Sequence, residues 1–344
     1  MVSITISHGA GGKEMWELIR RLVISKVPPN LRSALGGVGT DVLDDGAAIK
    51  LGNKYLVVAT DSFTVNPIKF PGGDIGHLAA CGVINDVVMM GARPVAALDT
   101  LVVEEGTDEV LVHEVMDSFI KVLINEGVAL IGGDFKVMPK GSLDKLLITA
   151  TCLGLTSHEP LIDRIEVGDK IVVTGPVAEH GAAILASQLG MIDEVKGLRS
   201  DSKPLSRSVL PVIEKYREYI HAARDPTRGG LAAVLNEWVE DSGYLVVVRR
   251  GDVPIRREVR YFLDAVGVDP LNVACEGVAV LSVSPNVADD VVKELRALGE
   301  SQASIVGEVV KAPNELLRGK VLAVTEVGGK TILKSEPLNL PRIC

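Results

Sequence analysis

Four aspartates of this sequence stand beside glycine or at the end of an apolar segment: Asp45, Asp61, Asp86 and Asp134. Carboxylate oxygens are hard ligands that suit Mg²⁺, which takes few protein ligands and fills its other positions with water and substrate phosphates. Spacing along the chain does not show that the four residues meet, and separate turn aspartates explain them equally well. The set therefore indicates either a magnesium site for a phosphate-bearing ligand or four unrelated turns.

Two glycine-rich segments are candidate anion sites, because each leads into a predicted helix whose first backbone N–H groups are free. The first precedes an amphipathic segment over 14–27, and the second, 227–230, follows Asp225. The first is not a Walker A loop, because its lysine is followed by glutamate rather than serine or threonine. A flexible N-terminal arm explains it as well as a phosphate contact does. Its candidate residues are His8, Gly11, Gly12 and Lys13.

The printed sequence ends in a cysteine, Cys344, which follows Pro341 and Arg342. The proline ring fixes φ and favours an extended approach. One interpretation is a frayed terminus, and the other is a mobile arm that carries a substrate on sulfur. Arg342 then binds a phosphate or guides the arm, or is simply a solvated charge. The other three cysteines are far apart without a CxxC pair, and we expect them to be packed small hydrophobes: Cys81, Cys152 and Cys275.

Composition restricts the class of protein. Hydrophobic residues make up 47% of the 344 and aromatic residues only 3%, so the core must be built from aliphatic side chains. The net charge of −9 argues against a nucleic-acid groove or an anionic membrane surface, both of which need clustered Lys and Arg. No apolar run approaches membrane-spanning length, and the N-terminus lacks a signal-peptide pattern. We expect a reduced cytoplasmic protein that binds neither nucleic acid nor membrane.

The elements that must position these residues alternate between strands and helices, which predicts an α/β fold of α+β layers. Asp61 follows the predicted strand 54–60, and Asp86 lies in the predicted helix 74–90. Asp134 follows Gly132 and Gly133 after a predicted strand. Further strands are predicted at 128–131, 146–152, 170–174, 244–248 and 278–283, and further helices over 108–126, 178–189 and 206–219.

Taken together, four motifs resemble the series found in the aminoimidazole ribonucleotide (AIR) synthase superfamily. That superfamily includes AIR synthase, selenophosphate synthetase, thiamine-monophosphate kinase and the hydrogenase maturation factors HypE. The motifs are Asp44-Asp45-Gly46-Ala47, Asn85-Asp86-Val87 with Gly91-Ala92-Arg93-Pro94, Gly132-Gly133-Asp134, and Pro226-Thr227-Arg228-Gly229-Gly230.

The two ends of the chain resemble the HypE family in particular. They are Ser7-His8-Gly9-Ala10-Gly11-Gly12 and Pro341-Arg342-Ile343-Cys344. Selenophosphate synthetase is disfavoured because its reactive Cys or selenocysteine lies in the N-terminal glycine loop, where this chain has none. AIR synthase and thiamine-monophosphate kinase leave Cys344 without a role.

The resemblance implies a two-domain AIR synthase-like fold. It implies an N-terminal glycine-rich arm and helix over 1–35, an ATP- and Mg²⁺-binding domain over 36–157, a C-terminal α/β domain over 158–334, and a mobile tail over 335–344. Superfamily members are typically homodimers with nucleotide sites near the subunit contact, so a homodimer is implied as well.

The resemblance also implies a reaction. A carbamoyl group held as a thiocarboxamide on Cys344 is dehydrated to a thiocyanate with ATP, and the cyano group goes to hydrogenase iron. An amide oxygen is a very poor leaving group, and transfer of the γ-phosphoryl group makes it a good one through positioning and Mg²⁺ charge neutralisation. The implied partners are the carbamoyltransferase HypF, which loads Cys344, and the HypC–HypD scaffold complex, which accepts cyanide.

By the same resemblance, each candidate residue has an expected role. Cys344 accepts the carbamoyl group, Glu276 is the base for the carbamoyl nitrogen, and Lys136 helps to orient that group. Without the resemblance, Glu276 and Lys136 are more simply a surface turn residue and a solvated loop charge. Asp45, Asp61, Asp86 and Asp134 are expected to bind Mg²⁺ and nucleotide, with Asp225 an additional nucleotide contact, and His8, Gly11, Gly12 and Lys13 are expected to close over the phosphates.

Two other functions fit the same residues. One is a different ATP-dependent kinase or synthetase of the superfamily that acts on a small molecule, with Cys344 incidental. The other is a non-enzymatic module that binds nucleotide and docks partners through its tail. The first predicts turnover that survives loss of the tail, and the second predicts ATP binding without ATP consumption.

Overall fold

A computed structural model describes residues 3–9, 11–240, 242–335 and 342–344 of the chain. The described residues form two halves, each with one large β-sheet and helices packed on it. Apolar side chains from both halves share one continuous core, and a second core lies within the C-terminal half. No helix in the described ranges has the length and apolar character that crossing a bilayer requires.

The N-terminal half contains a five-stranded sheet in the order β1-β2-β7-β5-β6. Its neighbouring strands are antiparallel except β5 and β6, which are parallel. The strands are β1 (Ala47–Leu51), β2 (Lys54–Phe63), β5 (Arg93–Glu104), β6 (Ala129–Met138) and β7 (Leu146–Thr156), with a separate pair β3 (Lys69–Phe70) and β4 (Gly73–Asp74). The helices are α1 (Lys13–Leu22), α2 (Ile75–Met89) and α3 (Glu109–Glu126).

Alternation along β2 shows why this sheet has one covered face. Tyr55, Val57 and Ala59 are buried, whereas the residues between them are half-buried. Since successive side chains of a strand point to opposite faces, the buried set faces the helices. Helix α2 packs on this face and is buried on nearly all sides, which agrees with its almost continuous apolar sequence.

The C-terminal half contains a seven-stranded sheet in the order β14-β13-β10-β12-β8-β11-β9. Its strands are β8 (Lys170–Val173), β9 (Ile220–Arg224), β10 (Tyr244–Arg249), β11 (Val280–Val283), β12 (Ser304–Lys311), β13 (Lys320–Val324) and β14 (Lys330–Ile332). Its helices are α4 (Glu179–Gln188), α5 (Leu210–Lys215), α6 (Gly230–Val239), α7 (Arg257–Ala265) and α8 (Ala288–Ala297).

The N-terminal segment crosses to the other half of the molecule. Trp16 of α1 donates a hydrogen bond from Nε1 to Glu237 Oε1 of α6 over 2.8 Å, and Arg20 pairs with Glu240 at 3.6 Å. The helix α1 therefore rests on the C-terminal end of α6.

Most predicted elements are present, and three differ. The predicted strand 54–60 continues to Phe63, so Asp61 lies inside the strand rather than after it. The predicted helix 206–219 is a short α5 followed by a 3₁₀ turn over Arg217–Tyr219, because Pro211 lies in the first turn of α5 and that helix stops at Lys215. The predicted strand 128–131 continues to Met138, because it pairs with β5 along its length. Asp134 is therefore inside a strand rather than after one. The predicted extended approach through Pro341 lies outside the described residues.

Candidate active site

An acidic pocket of about 380 Å³ lies between the two halves. It is lined by four of the predicted aspartates, and each comes from a different element. Asp45 precedes β1, Asp61 lies near the end of β2, Asp86 lies in α2, and Asp225 follows β9. The structure thus brings Asp45, Asp61, Asp86 and Asp225 together from positions up to 180 residues apart.

Arg224, the last residue of β9, is the main cation of this pocket. Its Nη1 donates to Asp45 Oδ1 over 2.8 Å, and its Nε donates to Asp163 Oδ2 over 2.8 Å. Its Nη2 donates to the Leu43 carbonyl over 2.9 Å. Arg224 therefore fixes the loop that carries Asp45 against the C-terminal half.

The two guanidinium groups that line the pocket, those of Arg224 and Arg228, do not neutralise all the carboxylates. Burial raises the pKa of Asp86 well above its usual range, and the neighbouring charges of Asp225, Asp45 and Asp61 raise it further. Burial also raises the pKa of Asp45, against the opposing effect of Arg224, and raises that of Asp225 to about 6. The pocket thus concentrates negative charge that a bound cation can offset.

The residues of this pocket suit a metal that arrives with phosphates. Asp45 Oδ2 is buried and accepts no hydrogen bond within the described part of the chain. Over the same residues, no three His, Cys, Asp or Glu side chains converge as a ready-made metal cage. Hard oxygen donors in an incomplete set fit Mg²⁺, which takes its remaining ligands from water and nucleotide.

The glycine-rich opening lies at the rim of the acidic pocket. Gly11 lines the pocket with a φ of 87°, and a Cβ there would come within 2.9 Å of the Arg228 carbonyl oxygen. Only glycine fits this close approach and this backbone conformation. Gly12 precedes α1, whose first residue, Lys13, is exposed and lies 3.8 Å from Glu17. His8, in a 3₁₀ turn, contacts Thr5 Oγ1 through Nδ1 at 2.8 Å.

Asp134 and Lys136 do not reach this pocket within the same chain. Both are exposed on β6, where Lys136 Nζ lies 2.9 Å from Asp134 Oδ2. The hydrogen bond from Lys136 and a second one from the Phe135 backbone amide lower the pKa of Asp134. Asp134 is three strands away from Ser62 along one row of the sheet, a separation of about 14 Å at the usual strand spacing.

Cys344 lies in an adjoining cavity of about 200 Å³, lined also by Arg228, Ser62, Thr64 and Ala274. Its backbone oxygen accepts hydrogen bonds from Thr64 N over 3.0 Å and Thr64 Oγ1 over 3.1 Å. Arg342 Nε donates to the Thr64 carbonyl over 2.6 Å, and Arg342 also pairs with Asp144. The last three residues are thus docked on the segment that follows β2.

The thiol of Cys344 lies among the charged groups of the site. Burial raises its pKa to about 12, the positive charge of Arg228 opposes that shift, and the charges of Glu276, Asp61 and Asp225 add to it. Arg228 Nη2 is 3.8 Å from Asp61 Oδ1. The fold therefore brings the thiol into the field of Glu276 and of the acidic pocket at the same time.

Glu276 is buried, and its Oε1 has no hydrogen-bond partner among the described residues. Burial raises its pKa well above the usual range. Its backbone is fixed by Asp201, whose Oδ1 and Oδ2 each accept from Glu276 N over 3.2 Å, and whose Oδ2 accepts from Gly277 N over 3.1 Å. A Cβ at Gly277 would lie 1.9 Å from the Asp201 carbonyl oxygen, so only glycine allows this approach.

The three interior cysteines are buried and unpaired, as predicted. Burial raises the pKa of Cys152 to about 12 and also raises those of Cys81 and Cys275. A thiol with so high a pKa is a poor nucleophile.

Sequence patterns do not reveal the residues that hold the predicted ones in place. Arg228 belongs to the motif Pro226–Gly230 and Arg224 lies two residues before it, but nothing in that stretch shows which carboxylates they face. Asn85 precedes Asp86 and donates from Nδ2 to the Lys203 and Glu276 carbonyls over 3.1 and 3.3 Å. Asp201 had no signal at all, since its partners are backbone amides far along the chain.

Two family models match the chain. Residues 43–156 match the N-terminal domain of AIR synthase related proteins, and residues 166–320 match the C-terminal domain of the same family. Together they cover more than half of the chain and the aspartates that line the acidic pocket, whereas the lining residues of the N-terminal segment, Gly11 to Ile19, lie outside both matches.

Curated relatives match over the full length. The chain is 36% identical to a putative hydrogenase expression/formation protein of Methanocaldococcus jannaschii, covering 100% of both chains. It is 34% identical to the carbamoyl dehydratase HypE of Rhodobacter capsulatus, covering 99% of this chain and 98% of the relative.

Solved structures agree with this likeness. A hydrogenase maturation protein HypE in complex with ATP superimposes with a TM-score of 0.79 at 36% identity, covering 99% of this chain and 100% of that one. A HypE–HypF complex superimposes with a TM-score of 0.82 at 28% identity, covering 94% and 99%. Thus the relatives in sequence and in structure share the same two-domain architecture.

Proposed function

The chain belongs to the HypE family of carbamoyl dehydratases, built from AIR synthase related domains, and we propose that its ATP-dependent dehydration acts on a carbamoyl group held by the Cys344 sulfur. The observation that carries this proposal is the position of Cys344. Its thiol shares a cavity with Arg228 next to the acidic pocket, and the charge of buried Glu276 raises the pKa of that thiol. A sulfur-bound carbamoyl group can therefore reach both a base and a phosphoryl donor.

The reaction has two steps, in which one oxygen and two hydrogens leave S–CO–NH₂ to give S–C≡N. In the first, the carbamoyl oxygen attacks the γ-phosphorus of ATP, an O–P bond forms, ADP leaves, and nitrogen loses one proton. In the second, the C–O bond breaks, inorganic phosphate departs with the bonding electrons, and nitrogen loses its second proton. Phosphate is a far better leaving group than an amide oxygen, which is why ATP is consumed.

Glu276 is our candidate for the base that removes the nitrogen protons. Its Oε1 has no hydrogen-bond partner among the described residues, and its pKa is raised, so it accepts a proton strongly once ionised. Arg228 is placed to offset charge that develops on the phosphorylated oxygen, because it lies in the same cavity as the thiol.

We further propose that Asp45, Asp61 and Asp86 hold Mg²⁺ with the nucleotide and that Asp225 supports them. When bound, Mg²⁺ neutralises phosphate charge in a phosphoryl transfer. Gly11, Gly12, Lys13 and His8 then close the pocket from the N-terminal side, a role supported by the position of Gly11 at the rim. ATP itself is bound by a relative of the same architecture.

Loading of Cys344 needs a different position of the last residues. At a pKa of about 12 the docked thiol is protonated near neutral pH, whereas attack on a carbamoyl donor requires the thiolate. We therefore propose that loading takes place with residues 342–344 outside the cavity, on HypF, the partner of a related protein in a solved complex. We propose the HypC–HypD complex as acceptor of the resulting cyano group.

Lys136 and Asp134 can take part in this site only if a second copy of the chain supplies them. They lie on β6, an edge strand whose residues are all exposed, including Ile131, Phe135 and Val137. An exposed apolar edge strand is a site for pairing with another chain. We propose a homodimer in which β6 of one copy brings its Lys136 toward Cys344 of the other. The unpaired interior thiols support a reducing, cytoplasmic location.

The decisive experiment is the intact mass of the C-terminal peptide after loading with a carbamoyl donor system and then after addition of Mg·ATP. We expect Cys344 to gain one carbamoyl group and then to lose the mass of one water only when ATP is present. Cys344→Ser, which keeps the fold, is expected to do neither.

Glu276→Gln separates the roles within the site. In this variant Cys344 is expected to receive the carbamoyl group normally. The rate of dehydration is expected to fall by about a hundredfold or more, the range for removal of a general base. ATP consumption that is equal in the wild type and in Cys344→Ser contradicts the proposal, and points to a small-molecule kinase or synthetase. Binding of ATP without any consumption points to the non-enzymatic module.

A further inference from the structure

The docked residues 342–344 are recognised through their backbone, because all three of their carbonyl oxygens accept a hydrogen bond. Asn66 N donates to the Arg342 oxygen over 3.0 Å, and Thr64 N donates to the Cys344 oxygen over 3.0 Å. Between them, His180 Nε2 donates to the Ile343 oxygen over 2.8 Å. We refer to Thr64, Asn66 and His180 as the tail receptor.

His180 is the one side-chain ring in this receptor, and its protonation state follows from its partners. The Ile343 carbonyl can only accept, so Nε2 must carry a proton. Burial lowers the pKa of His180 to about 4, so the ring is neutral and Nδ1 is an acceptor. Ser200 Oγ, 2.8 Å from Nδ1, is therefore the donor to that nitrogen.

Packing and hydrogen bonds leave the His180 ring one orientation. The side chain has no exposed surface, and its ring lies edge-on to Phe70 with centroids 5.4 Å apart. Ser200 Oγ also accepts from Ser202 N over 3.1 Å, which fixes the hydroxyl. The Nε2–H group is therefore held toward the tail by contacts that do not involve the tail.

The receptor is joined to the candidate base through one carboxylate. Asp201 Oδ1 accepts from His180 N over 3.1 Å and from Glu276 N over 3.2 Å. A displacement of His180 thus displaces Asp201, which holds the backbone of Glu276.

We propose that His180 is a positioning residue, which recognises the backbone of residues 342–344 together with the Thr64 and Asn66 amides and sets the Cys344 sulfur against Glu276. Its role in turnover rests on the proposed dehydratase function, but its role in docking does not. The Ile343 side chain adds to these hydrogen bonds by packing against the apolar core.

The test measures how fast iodoacetamide alkylates Cys344 in the full chain, by mass spectrometry of the C-terminal peptide. The three buried cysteines are an internal check on folding. We expect His180→Ala to raise the rate about tenfold, the factor that corresponds to 1.4 kcal/mol. His180→Gln, whose amide can still donate to Ile343, is expected to stay within about twofold of wild type. Thr64→Val, which loses one hydroxyl hydrogen bond, is expected to fall between them.

His221→Ala is the matched control. It also removes a partly buried histidine, one that contacts Asp169 at 2.9 Å and not the tail, and its alkylation rate should equal that of wild type. Equal rates for wild type, His180→Ala and Thr64→Val overturn the proposal, as does a His180→Gln rate as high as that of His180→Ala. If the interior cysteines of His180→Ala become labelled, that variant has unfolded, and the Gln and Thr64 variants decide.

Turnover gives a second measurement with a separate meaning. Single-turnover dehydration in His180→Ala should be slowed about tenfold and restored in His180→Gln. If the wild type shows no dehydration while the alkylation pattern is as expected, the dehydratase function is overturned and the role of the tail receptor in docking is still supported. Normal dehydration in His180→Ala overturns the positioning role alone.

Discussion

At the scale of single residues, the acidic pocket brings carboxylates together in a way that does not stabilise the nucleotide-free protein. The side chain of Asp86 makes no hydrogen bond or ion pair within the described residues, and the charges of Asp225, Asp45 and Asp61 raise its pKa. Arg224 is already shared by Asp45 and Asp163. Functional sites commonly carry such a cost in stability.

We therefore expect Asp86→Asn to stabilise the nucleotide-free protein by about 1 kcal/mol, because a buried charge among like charges is removed. The same change should lower Mg·ATP-dependent turnover at least tenfold. Denaturant unfolding of the nucleotide-free protein checks the first effect, and single-turnover dehydration with Mg·ATP checks the second. Asp290→Asn, an exposed carboxylate paired with Lys293 on α8, is the control and should change neither quantity. A destabilised Asp86→Asn contradicts this view of the pocket.

His180 gives a prediction for pH. Its pKa is about 4 in the folded protein against 6.5 ordinarily, so between these values the unfolded chain binds a proton that the folded chain does not. The free energy of unfolding must then decrease as pH falls from 6.5 to 4, by up to about 3 kcal/mol from this group. Several buried carboxylates have raised pKa values and act in the opposite direction.

The contribution of His180 is isolated by comparison with His180→Gln, whose side chain does not titrate. The wild type should lose stability relative to this variant as pH falls through that window, and the difference should be constant above pH 7. Urea unfolding of both proteins across the range is the measurement. A difference that does not vary with pH means that His180 is protonated in the folded state or is exposed to solvent.

At the scale of elements, the positions of some site residues can be predicted from the sequence and those of others cannot. Helix α2 and strand β2 follow from local periodicity, and with them the positions of Asp86 and Asp61. Glu276 was found only through a family motif, because a buried carboxylate in a loop carries no local signal. Arg224, His180 and Asp201 depend on contacts between residues 20 to 180 positions apart, which no local pattern contains.

Strand β6 is the element whose role the sequence misjudged. The pattern ended it before Gly132, whereas pairing with β5 carries it to Met138 and places Asp134 and Lys136 on an exposed edge. Gly133 is needed there, because a Cβ would lie 2.4 Å from Asp99 Oδ1. The division at 36–157 and 158–334 remains a prediction.

We expect Phe135→Glu to separate the proposed homodimer into monomers, because it places a charge on the apolar edge of β6, where Phe135 is 56% exposed. Sedimentation at several concentrations is the measurement. Leu316→Glu, at an 83% exposed position elsewhere, is the matched control and should sediment as the wild type does. A wild type that is monomeric at every concentration contradicts the dimer.

A mixture of two inactive variants then tests whether Lys136 acts across the dimer. Lys136→Ala and Cys344→Ser copies, co-expressed, form one site with an intact Lys136 from one copy and an intact Cys344 from the other. Activity should therefore reappear in the mixture. If Lys136 acts on its own chain, the mixture stays inactive.

At the scale of the whole molecule, the two halves are joined through Asn85. This buried side chain of α2 donates to the Lys203 and Glu276 carbonyls and accepts from Leu205 N over 2.9 Å. Its three partners all belong to the C-terminal half, and the apolar core is continuous across the same boundary. The halves should therefore unfold together.

We expect Asn85→Ala to destabilise the protein by about 3 kcal/mol, because it leaves buried backbone groups without partners. Calorimetry should show one transition in the wild type, and at most a partial separation into two in the variant. Asn236→Ala, which removes an amide that bonds within the C-terminal half only, should lower the transition temperature without separating the halves. Two transitions in the wild type contradict the coupling.

The burial of Cys81, Cys152 and Cys275 has a consequence for spectroscopy. With the other thiols inaccessible, a thiocyanate formed on this protein sits at one atom only, the sulfur of Cys344. The C≡N stretch absorbs where polypeptides do not, and its frequency follows the local electric field. The product is thus its own infrared reporter, and its band in the wild type would report the electric field that Arg228 and Glu276 impose at the point of reaction.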